Sequence, residues 1–108
     1  MRTTTLFKTF LLILFLCSAA DVRSQSIRIN GLVRDAQSEE PIPFASVRFR
    51  NTTTGNLTDT SGHFSFQLNE LPADTLEFTC VGYQPFYLSL RTVRDLKLIS
   101  ILMERGTF

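Results

Sequence analysis

The chain has 108 residues, 11 basic and 10 acidic side chains and a net charge of +1, so it holds one domain at most and has no electrostatic footprint for nucleic acid or an anionic membrane. Its 44% hydrophobic content argues against intrinsic disorder. One histidine and two cysteines argue against a multi-histidine metal site and a disulfide-rich scaffold. We therefore expect no metal, no cofactor and no nucleic-acid partner.

The first 24 residues have the composition of a secretory signal peptide. Arg2 and Lys8 precede an uninterrupted apolar run from Phe10 to Cys17, and small residues follow it. This order matches the charged, apolar and cleavage regions of such a signal, and the run is shorter than the ~20 residues that span a bilayer. We predict that residues 1–24 are removed on export and that the mature chain has no membrane span. An amphipathic or buried N-terminal helix is the alternative.

The cleavage position stays open between two sites. Ser18 and Ala20 suit positions −3 and −1 for a cut after Ala20, and Val22 and Ser24 suit them for a cut after Ser24. Lipidation of Cys17 is a third route, although Leu16 stands where a lipobox needs a small residue. After any of these cuts Cys80 remains in the domain as a free thiol without an internal partner.

Residues 25–104 are predicted to form one β domain, followed by a C-terminal tail at 105–108. After residue 25 no segment keeps a helical period for three turns, whereas apolar and polar residues alternate with a period of two. Turn-forming residues separate these runs at roughly the 8–12-residue spacing of a β-sandwich. We predict an all-β sandwich of about seven short strands. The alternation assigns to the core Ile27, Ile29, Gly31, Val33, Ala45, Val47, Phe49, Phe64, Phe66, Leu68, Leu76, Phe78, Cys80, Phe86, Leu88 and Leu90.

Two positions in this pattern have further consequences. Cys80 is in phase with Leu76 and Phe78, so we expect a buried and unreactive thiol. The last run, from Leu96 to Met103, is apolar almost throughout, so we expect it to be buried on both faces or to contain a bulge.

Two glycine-containing turns are the candidate structural sites. Asp59 can accept hydrogen bonds from backbone N–H groups two and three residues later, and Gly62 can adopt a positive φ. We predict that this turn closes a central hairpin and sets its register. Gly82 is expected to permit a second turn or bulge, beside which Tyr83 packs with its hydroxyl on a polar partner.

No residue is predicted to be catalytic. Hydrolysis by zinc needs several ligands that converge on one metal, and His63 is the single histidine of the chain. Calcium needs several clustered oxygen ligands, and Asp59 has no acidic neighbour within ten residues on either side. We therefore expect both side chains to serve the turn in which they stand.

Four segments, in this order, resemble the motifs of carboxypeptidase regulatory-like domains. They are 29–35 (INGLVRD), 40–47 (EPIPFASV), 54–64 (TGNLTDTSGHF) and 76–83 (LEFTCVGY), with 99–102 (ISIL) as a closing strand. The resemblance implies a transthyretin-like Greek-key β-sandwich. It also implies a non-catalytic attachment, of the kind found before peptidase domains or on the periplasmic N-terminus of TonB-dependent outer-membrane transporters.

Three functions follow from this resemblance. The first is an exported binding or accessory module, in the periplasm, at the outer membrane or secreted, with a protein partner in the cell envelope and an open oligomeric state. The second is a truncated N-terminal extension of a TonB-dependent transporter, since no plug or barrel sequence follows here. The third is a transthyretin-type small hydrolase, against which the single His63 argues because those enzymes rely on more than one histidine.

Overall fold

The computed structural model describes residues 26–106, so the predicted signal peptide and its cleavage sites lie outside the described residues. The all-β prediction is confirmed: residues 26–106 form seven strands and one 3₁₀ turn at Leu90–Thr92. Within residues 26–106 no helix has the length and apolar character to cross a membrane. The strands are β1 (Ile27–Asp35), β2 (Ser46–Phe49), β3 (Gly55–Leu57), β4 (His63–Leu68), β5 (Thr75–Thr79), β6 (Phe86–Ser89) and β7 (Ile99–Met103).

The strands form two sheets that face each other as a β-sandwich. One sheet has the order β4-β1-β7 and the other the order β3-β2-β5-β6. All neighbours are antiparallel except β1 and β7, which run parallel. Except in the fully exposed β3, alternate residues of each strand face the space between the sheets, because successive side chains of a strand point to opposite faces.

Phenylalanine rings join the two sheets. Phe49 and Phe66 pack edge to face with ring centroids 5.1 Å apart, and Phe64 and Phe78 do the same at 5.5 Å. Each pair takes one ring from either sheet, and the edge-to-face geometry is the one that aromatic quadrupoles favour. The buried apolar residues are Ile29, Val33, Ile42, Ala45, Val47, Phe49, Phe64, Phe66, Leu76, Phe78, Leu90, Ile99, Ile101 and Met103.

The last strand differs from its prediction. Ile99, Ile101 and Met103 are buried, whereas Leu98 and Leu102 are 80% and 44% exposed. The expectation of burial on both faces, or of a bulge, is therefore wrong. The reason is that a sheet of this two-layer sandwich has one face on the core and the other outside, so alternate residues of β7 are exposed, and the continuous register of β7 with β1 has no bulge.

Five predicted core residues are less buried than expected: Ile27, Leu68, Cys80 and Leu88 are partly buried, and Phe86 is exposed. Cys80 is only partly buried, because β5 ends at Thr79 and the chain turns away from the core there. Phe86 is 37% exposed, because β6 is the edge strand of its sheet and has a neighbour on one side only. The predicted burial of the Cys80 thiol is therefore wrong, and its lack of reactivity stays a prediction.

The turn at residues 59–62 does not close a hairpin, contrary to the prediction. It connects β3 and β4, which lie in different sheets: β3 pairs with β2, and β4 pairs with β1. The packing explains the crossing. Phe64 and Phe66 of β4 must face Phe78 and Phe49 of the other sheet, which a strand lying beside β3 in that sheet could not do.

Candidate functional site

The Asp59 turn is held by the carboxylate of Asp59. Its Oδ1 accepts hydrogen bonds from the backbone N–H groups of Ser61 and His63, each at 2.9 Å. Asp59 thus accepts from the N–H groups two and four residues later, whereas the sequence predicted those two and three residues later. These bonds, that of His63 above all, lower the pKa of Asp59. The His63 ring is exposed, with Nδ1 3.9 Å from Asp59 Oδ1.

Gly62 fits this turn against β1. Its φ is +78°, and a Cβ placed there would lie 2.6 Å from the carbonyl oxygen of Val33 and 2.9 Å from Cβ of Pro41. The backbone N–H of Val33 donates to the Gly62 carbonyl at 2.8 Å. A side chain at position 62 would therefore be strained in φ and would also separate the turn from β1.

The second turn places Tyr83 beside the end of β1. Gly82 has a φ of +88° with open space where a Cβ would stand, so it provides conformational freedom without close packing. The Tyr83 hydroxyl donates to Oδ2 of Asp35 at 2.7 Å.

The carboxylate of Asp35 accepts hydrogen bonds both from Tyr83 in the second turn and from Arg105 near the end of the described chain. Asp35 is 2% exposed. Oδ1 accepts the backbone N–H groups of Gln37 and Ser38 at 2.8 and 3.0 Å, and Oδ2 accepts Tyr83 and Nε of Arg105, each at 2.7 Å. We call Asp35, Tyr83 and Arg105 the Asp35 cluster.

The cluster is ionised and fully paired. The Ser38 N–H, the Arg105 guanidinium and the Tyr83 hydroxyl all stabilise the carboxylate and hold the pKa of Asp35 well below its ordinary value. Donation to Asp35 in turn raises the pKa of Tyr83 and that of Arg105. A carboxylate with this pKa and four donors is a poor general base, and a tyrosine with a raised pKa is a poor nucleophile. The arrangement is that of a structural clamp.

Backbone pairing extends the clamp. Gln84 N–H donates to the Glu104 carbonyl at 2.8 Å, Gly106 N–H donates to the Gly82 carbonyl at 2.9 Å, and Tyr83 and Arg105 form an antiparallel bridge. Residue 105, placed in the tail by the sequence, is thus bound to the sandwich.

Sequence reasoning did not select Asp35 or Arg105 as site residues. A signal for Asp35 was present, because it continues the inward-facing series of Ile29 and Val33 on β1, and a carboxylate at a core position needs partners. Arg105 carried no comparable signal, since its contact with Asp35 spans 70 positions of chain.

Residues 29–107 match the family model described as the CarboxypepD_reg-like domain. The chain belongs to this family. It is also 35% identical over 81 residues to the TonB-dependent receptor SusC of Bacteroides thetaiotaomicron. The aligned part is 74% of this chain and 8% of the receptor, so the chain spans less than a tenth of that relative's length.

This CarboxypepD_reg-like domain exposes an apolar surface next to its clamp. Phe44 is 63% exposed and Val81 is 97% exposed. Between them lies an open cleft of about 610 Å³. Its lining residues are all uncharged: Pro43, Phe44, Ser46, Thr79, Cys80, Val81 and Tyr83. We call this region the Phe44–Val81 surface.

Phe44 is held outward in a strained backbone conformation. Its φ is +57°, a region that costs a bulky L-residue energy unless its surroundings enforce it. The enforcement comes from the buried Thr58, whose hydroxyl donates to the Ile42 carbonyl at 2.7 Å and accepts from Ala45 N–H at 2.8 Å. Backbone bonds from Phe44 N–H to the Thr58 carbonyl and from Thr58 N–H to the Ala45 carbonyl complete the loop.

No group of three or more histidine, cysteine, aspartate or glutamate side chains with metal-binding geometry occurs in the part of the chain that the structure describes.

Proposed function

We propose that this chain is an exported, non-catalytic accessory module of a TonB-dependent receptor system, and that it binds a protein of the cell envelope through the Phe44–Val81 surface. The observation that carries the proposal is the strained and exposed Phe44. A fold that holds an aromatic side chain in solvent at a backbone cost does so for a reason beyond its own stability.

The chemistry of the cleft indicates the partner. Because no charged side chain lines it, the complementary surface is an apolar one, and aromatic residues that fill such pockets contribute most of the binding energy of protein interfaces. The similarity to a TonB-dependent receptor supports an outer-membrane setting. The partner we expect is therefore an envelope protein with an uncharged, apolar docking segment.

A photo-crosslinking amino acid at position 44 tests this in the exporting cell. We expect a crosslink to a protein of the receptor system from position 44 and none from Glu70, an exposed loop position that serves as the control. Equal crosslinking from both positions, or none from position 44, would overturn the proposal.

The variant Phe44→Gly separates binding from folding. Glycine adopts the positive φ of this position without strain, so the melting temperature should stay the same or rise while partner crosslinking through Val81 is lost. A fall in melting temperature with binding retained would make Phe44 a structural residue only.

The resemblance to part of a receptor also favours the second candidate, a periplasmic extension of a larger transporter. The aligned share, 8% of the receptor, is the observation behind it. Sequencing of the transcript around this gene distinguishes the two: a plug and barrel in the same reading frame supports the extension.

A further inference from the structure

The outer edge of β7 has no strand paired with it among residues 26–106. β7 ends the order β4-β1-β7. In a parallel pair, every second residue of a strand points both its N–H and its C=O at the neighbouring strand. The Ala36 N–H donates to the Met103 carbonyl, so Met103 is one of the residues whose backbone groups point at β1. Ser100 and Leu102 alternate with these residues, so their N–H and C=O groups point away from the sheet.

Just after β7, the continuation of this edge is covered by another segment of the chain. Residues 82–84 pair with residues 104–106, on the side where Ser100 and Leu102 are free. Pro85 ends this pairing, and the chain leaves to form β6 in the other sheet. The Leu98 N–H donates to the Asp95 carbonyl at 3.1 Å, so the vacant stretch runs from Ile99 to Leu102 and its outward backbone groups are those of Ser100 and Leu102.

The other three edges are protected by devices that discourage pairing. β3 has three residues, and β6 has four and directly follows Pro85. On β4 the side-chain amide of Asn56 donates to the Ser65 carbonyl at 2.9 Å. β7 has five residues, ISILM, with neither a charge nor a proline.

The side chains beside this edge are complementary to an acidic strand with apolar neighbours. Leu98 and Leu102 are exposed on the outer face. Arg34, opposite Leu102 on β1, has Nη2 3.4 Å from Ser100 Oγ. Its Nε is shielded from solvent without an acceptor among residues 26–106. Arg34 also takes part in none of the ion pairs of the described residues.

We propose that the outer edge of β7 is a docking site for an extended segment of a partner protein, which adds a fourth strand to the sheet. Such addition uses main-chain hydrogen bonds for affinity and alternate side chains for specificity. The segment places a carboxylate at Arg34 and an apolar residue against each of Leu98 and Leu102. This inference rests on the proposed function only in treating the chain as a binding module, since its residues are not those of the Phe44–Val81 surface.

A synthetic peptide, acetyl-TVTETVT-amide, tests the edge directly on the exported chain. On one face of a strand it presents valine, glutamate and valine, and its palindromic sequence fits β7 in either direction. We expect the largest backbone amide shifts in NMR spectra at Ser100 and Leu102. The control peptide acetyl-TVTQTVT-amide should bind the same edge more weakly.

Variants then assign the contacts. Leu102→Lys, at an exposed position, should abolish binding, and Ser100→Pro, which removes an outward N–H, should do the same. Arg34→Gln should weaken the glutamate peptide about threefold to fivefold and leave the glutamine peptide unchanged. Phe44→Gly is the matched control and should leave both peptides unaffected. Melting temperatures near that of the parent chain show that each variant is folded.

Three outcomes would overturn the inference. The first is that Ser100 and Leu102 show no amide shifts at about 1 mM peptide. The second is that the folded Leu102→Lys variant binds the peptide as well as the parent chain does. The third is that the same amides shift with protein concentration in the absence of peptide, which would make a second copy of the chain the occupant. If the peptide fails while crosslinking from Phe44 succeeds, the edge inference falls and the proposed function stands. If the peptide binds at β7 while crosslinking from position 44 fails, the proposed function falls and the edge inference stands.

Discussion

Tyr83 and Asp35 are joined by a 2.7 Å hydrogen bond across 48 positions of chain. Asp35 ends β1 in one sheet, and Tyr83 lies in the connection between β5 and β6 of the other. The bond therefore connects the two sheets at one end of the sandwich. Nε of Arg105 donates to the same carboxylate oxygen at 2.7 Å. This bond attaches the segment after β7 to the end of β1.

Removal of the Tyr83 hydroxyl should destabilise the domain. We expect Tyr83→Phe to lower the free energy of unfolding by about 1–2 kcal/mol, because a hydrogen bond to a charged acceptor is lost while the ring remains. Tyr87→Phe is the control, since Tyr87 is 48% exposed and should change stability by less than about 0.5 kcal/mol. Urea denaturation measures both; equal effects would contradict the clamp.

The Asp35 cluster should make stability depend on acid pH. The pKa of Asp35 in the folded state lies below its ordinary value of 3.8, so the folded state favours the ionised form. The resulting stabilisation is complete above the unfolded pKa and is lost as the pH falls from there towards the folded pKa. Asp35→Asn should lower the melting temperature by about 10 °C at neutral pH, with a smaller difference from the parent below pH 3.8. A difference that stays constant across this range would show that the charge of Asp35 has no role.

The two positive-φ glycines should respond differently to alanine. Both substitutions place a Cβ in the left-handed region at a cost of about 1 kcal/mol. At Gly62 the new atom also meets the Val33 carbonyl at 2.6 Å, whereas at Gly82 it meets open space. We expect Gly62→Ala to cost about 2–4 kcal/mol and Gly82→Ala about 1 kcal/mol by chemical denaturation. If Gly82→Ala were the more harmful variant, the packing of the 59–62 turn on β1 would be refuted.

Loss of the Thr58 hydroxyl should free the Phe44 loop. Thr58→Val keeps the shape but leaves Ala45 N–H without its acceptor, so we expect a loss of about 1–3 kcal/mol. Faster hydrogen exchange at Phe44 and Ala45 should accompany it, because both amides are bonded to Thr58. Thr60→Val, at an exposed position of the next turn, is the control and should leave exchange at these amides unchanged.

Local pattern was enough to predict the strands and most of the core. The alternation around Val47, Phe64 and Phe78 identifies inward-facing positions, because a strand has a side-chain period of two whatever it pairs with. The turn glycines followed from the same local chemistry, and Gly62 and Gly82 do have positive φ. The family motifs led to the CarboxypepD_reg-like domain, which the match over residues 29–107 confirms.

What the tertiary structure decided was which strands are neighbours and which distant groups meet. Whether β3 and β4 share a sheet depends on where the rings of Phe64 and Phe66 find partners, and the turn between the strands does not specify this. The exposure of Leu102 depends on which face of β7 packs on the other sheet, a property of how the two sheets are stacked. The meeting of Asp35 with Arg105 joins residues 70 positions apart. Since a hydrogen bond between side chains leaves no periodic trace in the sequence, only the folded chain shows this contact.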